Sequence, residues 1–207
     1  MKQHIAGRDP SGDMLFCGAN FQQVNPIGRL ARVSNFLDWR DRMLQAVWRQ
    51  GESMPEEVLA WMSEVHDEFG EISGEEFCEL WTTRTFSMAR SAFEVIQKSV
   101  LDETGKRVVG EEFSYVNYFR DPEFGPVGVV RFKSAEVSTP DWAEVLGVVA
   151  EGVQEFVMDY YVTVWPVCGR HSFGLHVDYF RETAVWKCNG GPAGGHVVRA
   201  LDSSIRL

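Results

Sequence analysis

The sequence predicts an α+β fold, with an N-terminal helical portion packed with a mostly antiparallel β-sheet that one long helix crosses. Three observations predict it. Apolar residues recur at helical spacing between Ser34 and Trp81, the period shortens to two after about residue 91, and a single long helical stripe returns between Trp142 and Val157.

In chain order, residues 1–33 read as an irregular start, with a turn at Asp9-Pro-Ser-Gly12 and a short strand at Met14-Leu-Phe-Cys17. Ser34 suits the N-cap of a first helix that runs to about Gln50 and stops at Gly51, with Phe36, Leu37, Met43, Leu44, Val47 and Trp48 on its apolar side. Ser53-Met-Pro-Glu56 carries the capping-box pattern and predicts a second helix to about Phe69, ended by Gly70. Ser73-Gly-Glu-Glu76 repeats the pattern ahead of a third helix bearing Phe77, Leu80 and Trp81. Residues 82–91 suit either helix or extended chain.

Beyond them, Ala92–Leu101 and Lys106–Val109 are expected to form a hairpin around Asp102-Glu-Thr-Gly105, and Phe113–Phe119 a second pair with Val127–Phe132. Thr139-Pro140-Asp141 opens the long helix, with Thr139 as N-cap and Pro140 in the first turn. Trp142, Val145, Leu146, Val149, Val153, Phe156 and Val157 form its buried stripe. Strands are expected at Tyr161–Trp165, Phe173–Phe180, Thr183–Cys188 and His196–Leu201. No internal repeat or long linker divides the chain, so a single domain over 1–207 is expected, with a soft boundary near 84–91 between helical and sheet portions.

The charge is unevenly placed. The chain has 30 acidic and 20 basic residues, and ten of the acids fall between Gln50 and Thr83 with no Lys or Arg among them. The remainder is neutral. A helix built only for stability gains from mixing signs at i,i+4, by a few tenths of a kcal/mol per pair. An unmixed acidic block makes a local field that steers basic partners. Glu56, Glu57, Glu64, Asp67, Glu68, Glu71, Glu75 and Glu76 are therefore the candidate partner-binding residues. The competing explanation is a solvated helical face.

Several classes are disfavoured. No apolar run approaches the roughly 20 residues that span a bilayer, and the first residues lack the apolar core of a signal peptide, so a cytoplasmic protein is expected. Four scattered cysteines do not make a disulfide framework, and reduced thiols are expected. Direct nucleic-acid binding lacks a basic stripe beyond Arg29, Arg32, Arg40, Arg42 and Arg49. Gly190-Gly-Pro-Ala-Gly-Gly195 lacks the Gly-Lys-Ser/Thr ending of a phosphate loop and reads as a hairpin connection. No cofactor is called for.

The enzymatic alternative rests on Cys168, His171, His176, Asp178, Cys188 and His196. Strand alternation in Phe173–Phe180 sends Phe173, Leu175, Val177 and Tyr179 to one face and sets His176 beside Asp178 on the other. A hydrolase would draw on His171, His176, Asp178 and His196; a metal would draw on Cys168, His171, His176 and Asp178. The spacing matches no known zinc module.

Over residues 90–165 the layout is a helical start, a meander, the helix opening Thr139-Pro-Asp-Trp142, and Asp159-Tyr-Tyr-Val-Thr-Val164 returning as a strand. This arrangement resembles the small acidic immunity proteins of polymorphic toxin systems. The resemblance implies a non-catalytic inhibitor. With the charge pattern, it gives the expected function: an acidic binding protein that docks on a basic partner such as a nuclease, a toxin or a defence-complex subunit, in an immunity or phage-type anti-defence role. No direct nucleic acid and no membrane are expected among its partners. The alternatives are the hydrolase, metal- or His/Asp-dependent, and a structural or assembly protein without a site. Sequence alone sets neither oligomeric state nor strand order.

Overall fold

A computed structural model describes residues 36–47, 54–109, 114–121, 125–191 and 195–202, all within the compact unit Ser34–Leu207. The expected turn at 9–12, the strand at 14–17, the Ser34 cap, the Gly51 stop and Ser53 lie outside the described residues.

Four helices and two three-stranded antiparallel sheets make up the described chain, an α+β architecture. Helices α1 (Phe36–Val47), α2 (Glu56–Phe69) and α3 (Gly74–Thr104) come first. Strands β1 (Ser114–Asp121), β2 (Gly125–Phe132) and β3 (Ala135–Val137) follow as one meander, in the order β1-β2-β3. Helix α4 (Trp142–Tyr161) leads to a second meander of β4 (His176–Phe180), β5 (Thr183–Cys188) and β6 (His196–Ala200).

Local chemistry explains most boundaries. Gly70 ends α2 at a positive φ of 75°. Ser73 and Glu76 form the full capping box of α3, each side chain bonding the other's backbone N–H. The N-cap position of α2 is Pro55, which makes no side-chain capping bond. For α4 the cap is Asp141, which accepts from the Glu144 N–H at 2.7 Å, in place of the expected Thr139.

The expected hairpin over 92–109 does not form. The chain from Ala92 to Thr104 continues α3, which is 31 residues long, and Gly105 is its left-handed C-cap at φ 67°. Val95, Ile96 and Val100 give that stretch strand-forming residues, but Ala89, Ala92, Ile96 and Val100 are buried at helical spacing. The strand expected at Tyr161–Trp165 is absent as well. Tyr161 closes α4, Val162 takes a left-handed conformation at φ 50°, and no ladder follows. The segment Asp159–Val164, which the immunity-protein layout needs as a strand, is thus the last turn of α4 and an irregular stretch. Strand β3 was not anticipated, and β4 is shorter than expected.

Side chains bury into two clusters. Trp39, Met43, Val58, Met62, Phe77 and Trp81 form one between α1, α2 and the start of α3. The larger one gathers Ile96, Phe132, Leu146, Phe156, Trp165 and Trp186 with their neighbours. Helix α3 serves both, and its contribution changes from one to the other between Trp81 and Phe86. Two hydrogen bonds tie it to the first meander: Trp81 Nε1 donates to the Ser138 carbonyl at 2.7 Å, and the Gly128 N–H donates to Thr82 Oγ1 at 2.9 Å.

Helix α4 carries the long stripe as expected and lies against both sheets. Two glycines permit this. A Cβ at Gly152 would stand 2.9 Å from the Phe132 carbonyl in β2, and one at Gly147 would stand 2.4 Å from the Tyr179 hydroxyl in β4. No helix among the described residues is long and apolar enough to cross a membrane.

Candidate functional site

Two groups of side chains stand out, one at each end of β5. The first begins with the acidic helices. At about 100° per residue, Glu56, Glu57, Glu64, Asp67 and Glu68 fall within an arc of about 120° on α2, opposite the buried Val58, Met62 and Val65. Glu75, Glu76 and Glu79 share an arc on α3 opposite Phe77 and Trp81 in the same way. All of these carboxylates, and Glu71, are exposed. Three are engaged locally. Glu71 pairs with Arg42 at 2.8 Å, Glu57 with Arg84 at 3.6 Å, and Glu76 caps its own helix. Glu64, Asp67, Glu68, Glu75 and Glu79 form no ion pair among the described residues. Glu64 and Glu68 flank a groove of about 370 Å³ between α2 and α3, with Trp61, Val65, Phe69 and Leu80 in its wall.

The acidic surface also extends beyond the block that the sequence marks. A cleft of about 950 Å³ opens where the starts of α2 and α4 meet the β4–β5 turn. Glu56 and Glu57 reach it from α2, Asp141 and Glu144 from α4, and Glu182 from the turn. Trp142, Leu146, Val148 and Tyr179 give it an apolar floor, and no Lys or Arg lines it among the described residues. The electrostatics record the crowding. Burial raises the Glu57 carboxyl above its ordinary range and Asp141 raises it further, against the opposing pull of Arg84 and of the Trp142 N–H that donates to it. Tyr179 is pushed up to about 12, first by burial and then by Glu144, Glu151 and Asp141. Sequence reading missed Asp141, Glu144 and Glu182 because they are scattered in the chain. The only signal was that helix N-termini collect acids.

The second group lies at the far end of β5. The turn after Pro166 is closed by bonds from the Ser172 N–H to the Cys168 carbonyl and from the Cys168 N–H to the Phe173 carbonyl, both 2.8 Å. This turn brings Cys168 and His171 up to Cys188, the last residue of β5, and His196, the first of β6. One ligand atom from each of the four lies within 4.8 Å of every other. Gln154 of α4 holds the approach, donating to the carbonyls of Trp165 at 2.9 Å and Leu175 at 2.7 Å.

Both thiols are buried and the imidazoles half-buried. Burial raises the Cys168 thiol, but N–H donation from Arg170 and His171, the Cys188 thiol and the Arg170 charge together bring it below its ordinary value. Cys188 is held above its ordinary value, first by burial, against the Gly190 N–H that donates to its sulfur. The third described cysteine, Cys78, is a core residue whose thiol burial pushes up to about 11.

Of the residues expected to carry chemistry, the structure joins Cys168, His171, Cys188 and His196. It does not bring in His176 or Asp178. Asp178 accepts from Lys187 Nζ at 2.5 Å and from the Tyr179 N–H at 2.7 Å. His176 is exposed and lines a groove of about 420 Å³ with Met158, Val164, Phe173 and Gly190. The glycine run flanks the centre: a Cβ at Gly190 would lie 3.2 Å from His171 Cβ, and Gly195 turns at φ 102° against the Cys188 carbonyl. Residues 192–194 lie outside the described residues.

Neither a family model, nor a curated protein, nor a solved structure matches this chain.

Proposed function

We propose that this chain is a non-catalytic binding protein that presents an acidic surface to a basic partner protein. The acidic cleft carries the reading: five carboxylates ring an apolar floor of Trp142, Leu146, Val148 and Tyr179, with no base among the described lining residues. Such a site takes a segment with Lys or Arg at its edges and apolar side chains between them. The charges give rate and register, and the buried apolar anchors give most of the affinity. Glu64, Asp67 and Glu68 extend the same arc of α2 away from the cleft and lengthen the field.

The partner class follows from the charge pattern. Surfaces dense in Lys and Arg belong mostly to proteins that hold nucleic acid, and an ordered row of carboxylates occupies the place of phosphates. An inhibitor of a nuclease, of a toxin or of a defence complex is the role this chemistry suits, in line with the immunity or anti-defence expectation. The energetics support a binding role. Burial first, and then the Asp141 charge, disfavours the ionised Glu57 carboxylate, and a cation from outside would favour it.

The test compares the wild-type chain with a variant carrying Glu56→Lys, Glu57→Lys and Glu182→Lys. Each is used to capture partners from the native host at low and high salt, and each is titrated with a synthetic Arg-rich amphipathic peptide while Trp142 fluorescence is followed. The expected result is a stoichiometric basic partner held by the wild type, weakened by salt and lost by the variant, with peptide affinity falling at least tenfold. A partner kept by the folded variant, or insensitive to salt, overturns the proposal.

A further inference from the structure

We propose that Cys168, His171, Cys188 and His196 form a tetrahedral zinc site that fastens the second meander, independently of the acidic cleft. The argument rests first on edge lengths. A zinc ion with sulfur at about 2.3 Å and nitrogen at about 2.0–2.1 Å has tetrahedral S···N edges of about 3.6 Å. Here Cys168 Sγ lies 3.8 Å from His171 Nδ1 and 3.8 Å from His196 Nε2, and His171 Nδ1 lies 3.3 Å from Cys188 Sγ. Three of the six edges of a tetrahedron are therefore set, with the ring nitrogen nearest the sulfurs on each imidazole.

The donor set and its surroundings point the same way. Two thiolates and two imidazoles select a borderline-soft ion such as zinc over calcium or magnesium, which want oxygen. The outer shell is also in place. The Gly190 N–H donates to Cys188 Sγ at 3.3 Å. Backbone N–H groups directed at sulfur stabilise the charge a metal-bound thiolate carries. A disulfide accounts for the two cysteines and leaves both imidazoles without a purpose. Packing alone does not account for two imidazoles that both point a nitrogen at sulfur.

The ligands decide the role. Four protein side chains close the coordination sphere and leave no position for water or substrate, which marks a structural site. The ion joins the 168–171 turn, the end of β5 and the start of β6, segments up to 28 residues apart in the chain. It would tie the end of β5 to the start of β6 and fix the end of a three-stranded sheet.

The experiment uses the full chain, untagged by histidines and purified under reducing conditions. Metal analysis is expected to give one zinc per chain. Replacement by Co(II) is expected to give the intense visible bands of a tetrahedral centre with thiolate-to-cobalt charge transfer. His171→Cys should keep the metal and strengthen the charge-transfer band, which separates ligation from mere packing and does not depend on a disruptive variant. Cys188→Ala should weaken Co(II) binding about 100-fold or more, and His176→Ala and Asp178→Asn should leave it unchanged. The proposal fails if the reduced wild-type chain shows no tetrahedral Co(II) spectrum, if Cys188→Ala retains that spectrum, or if a Cys168–Cys188 disulfide persists in the reduced protein.

Discussion

Strand β5 runs between two unlike regions. At its start, Glu182 and Thr183 belong to a cleft of about 950 Å³ whose carboxylates stand apart around an apolar floor. At its end, about 17 Å away for a six-residue strand, Cys188 belongs to four donors gathered within 4.8 Å. The first region sets like charges around one cleft, with Glu56, Glu57 and Glu182 exposed and Asp141 and Glu144 half-buried. The second draws complementary donors inward from one turn and two strand ends. Arrangements of the first kind are relieved by a partner that brings charge from outside, and arrangements of the second kind by an ion held within. Substitutions at one end should therefore change binding with little effect on stability, and those at the other should do the reverse.

Removing the metal should produce the largest effect. Stripping zinc with a chelator under reducing conditions should lower the melting temperature by on the order of 10 °C, because about 3 kcal/mol or more is lost and each kcal/mol moves a chain of this size by about 2–4 °C. The cleft variant should melt close to wild type in the same calorimetric experiment. Equal losses at both ends would break the comparison.

Gly190→Ala should come next. Its Cβ would meet the Phe173 ring at 2.6 Å and His171 Cβ at 3.2 Å, so the ring must shift and His171 must give by a few tenths of an ångström. A destabilisation of about 1–3 kcal/mol is expected by urea titration, with a matching loss of metal affinity. An unchanged midpoint would mean that the loop yields without disturbing His171.

At the other end, Glu57→Gln should be nearly neutral for stability. The carboxyl is raised in the folded chain, so its penalty is absent well below the ordinary value of 4.5 and grows as pH rises through the folded pKa. The amide keeps an acceptor for the Trp142 N–H but gives up the Arg84 pair, a surface pair worth under about 1 kcal/mol. At neutral pH the variant should unfold within about 0.5 kcal/mol of wild type and bind the Arg-rich peptide more weakly. A clear destabilisation would make Glu57 a structural cap above all.

These contrasts also explain what could be read in advance. The acidic helices were legible because charge and capping are local. Gly70 and the Ser73/Glu76 box lie where the pattern puts them, and the exposed arc follows from spacing alone. Gly105 was legible as a break but not as the end of α3, since a glycine after Asp-Glu-Thr serves a hairpin and a left-handed helix cap equally well. The Cys/His centre was half legible. Its residues were all noticed, yet strand alternation favoured His176 and Asp178, whereas the centre is set by which strand ends meet. Cys188 and His196 are opposed in the β5–β6 ladder, a register that no local pattern encodes.

Asp178 offers the smallest and most discriminating test of that distinction. Lys187 and the Tyr179 N–H hold its carboxyl below the ordinary 3.8, so its contribution is present above that value and is lost as pH falls through the lower, folded pKa. Asp178→Asn should therefore lower the neutral-pH melting temperature slightly, and the difference from wild type should vanish as pH falls below the folded pKa. Chemistry at the Cys/His end should not notice, because Asp178 pairs across the β4–β5 ladder with Lys187 and not with any of the four donors. If Asp178→Asn instead lowered zinc content, the carboxylate would have to reach the centre in solution, and the ligand set would return toward the one that strand alternation alone suggests.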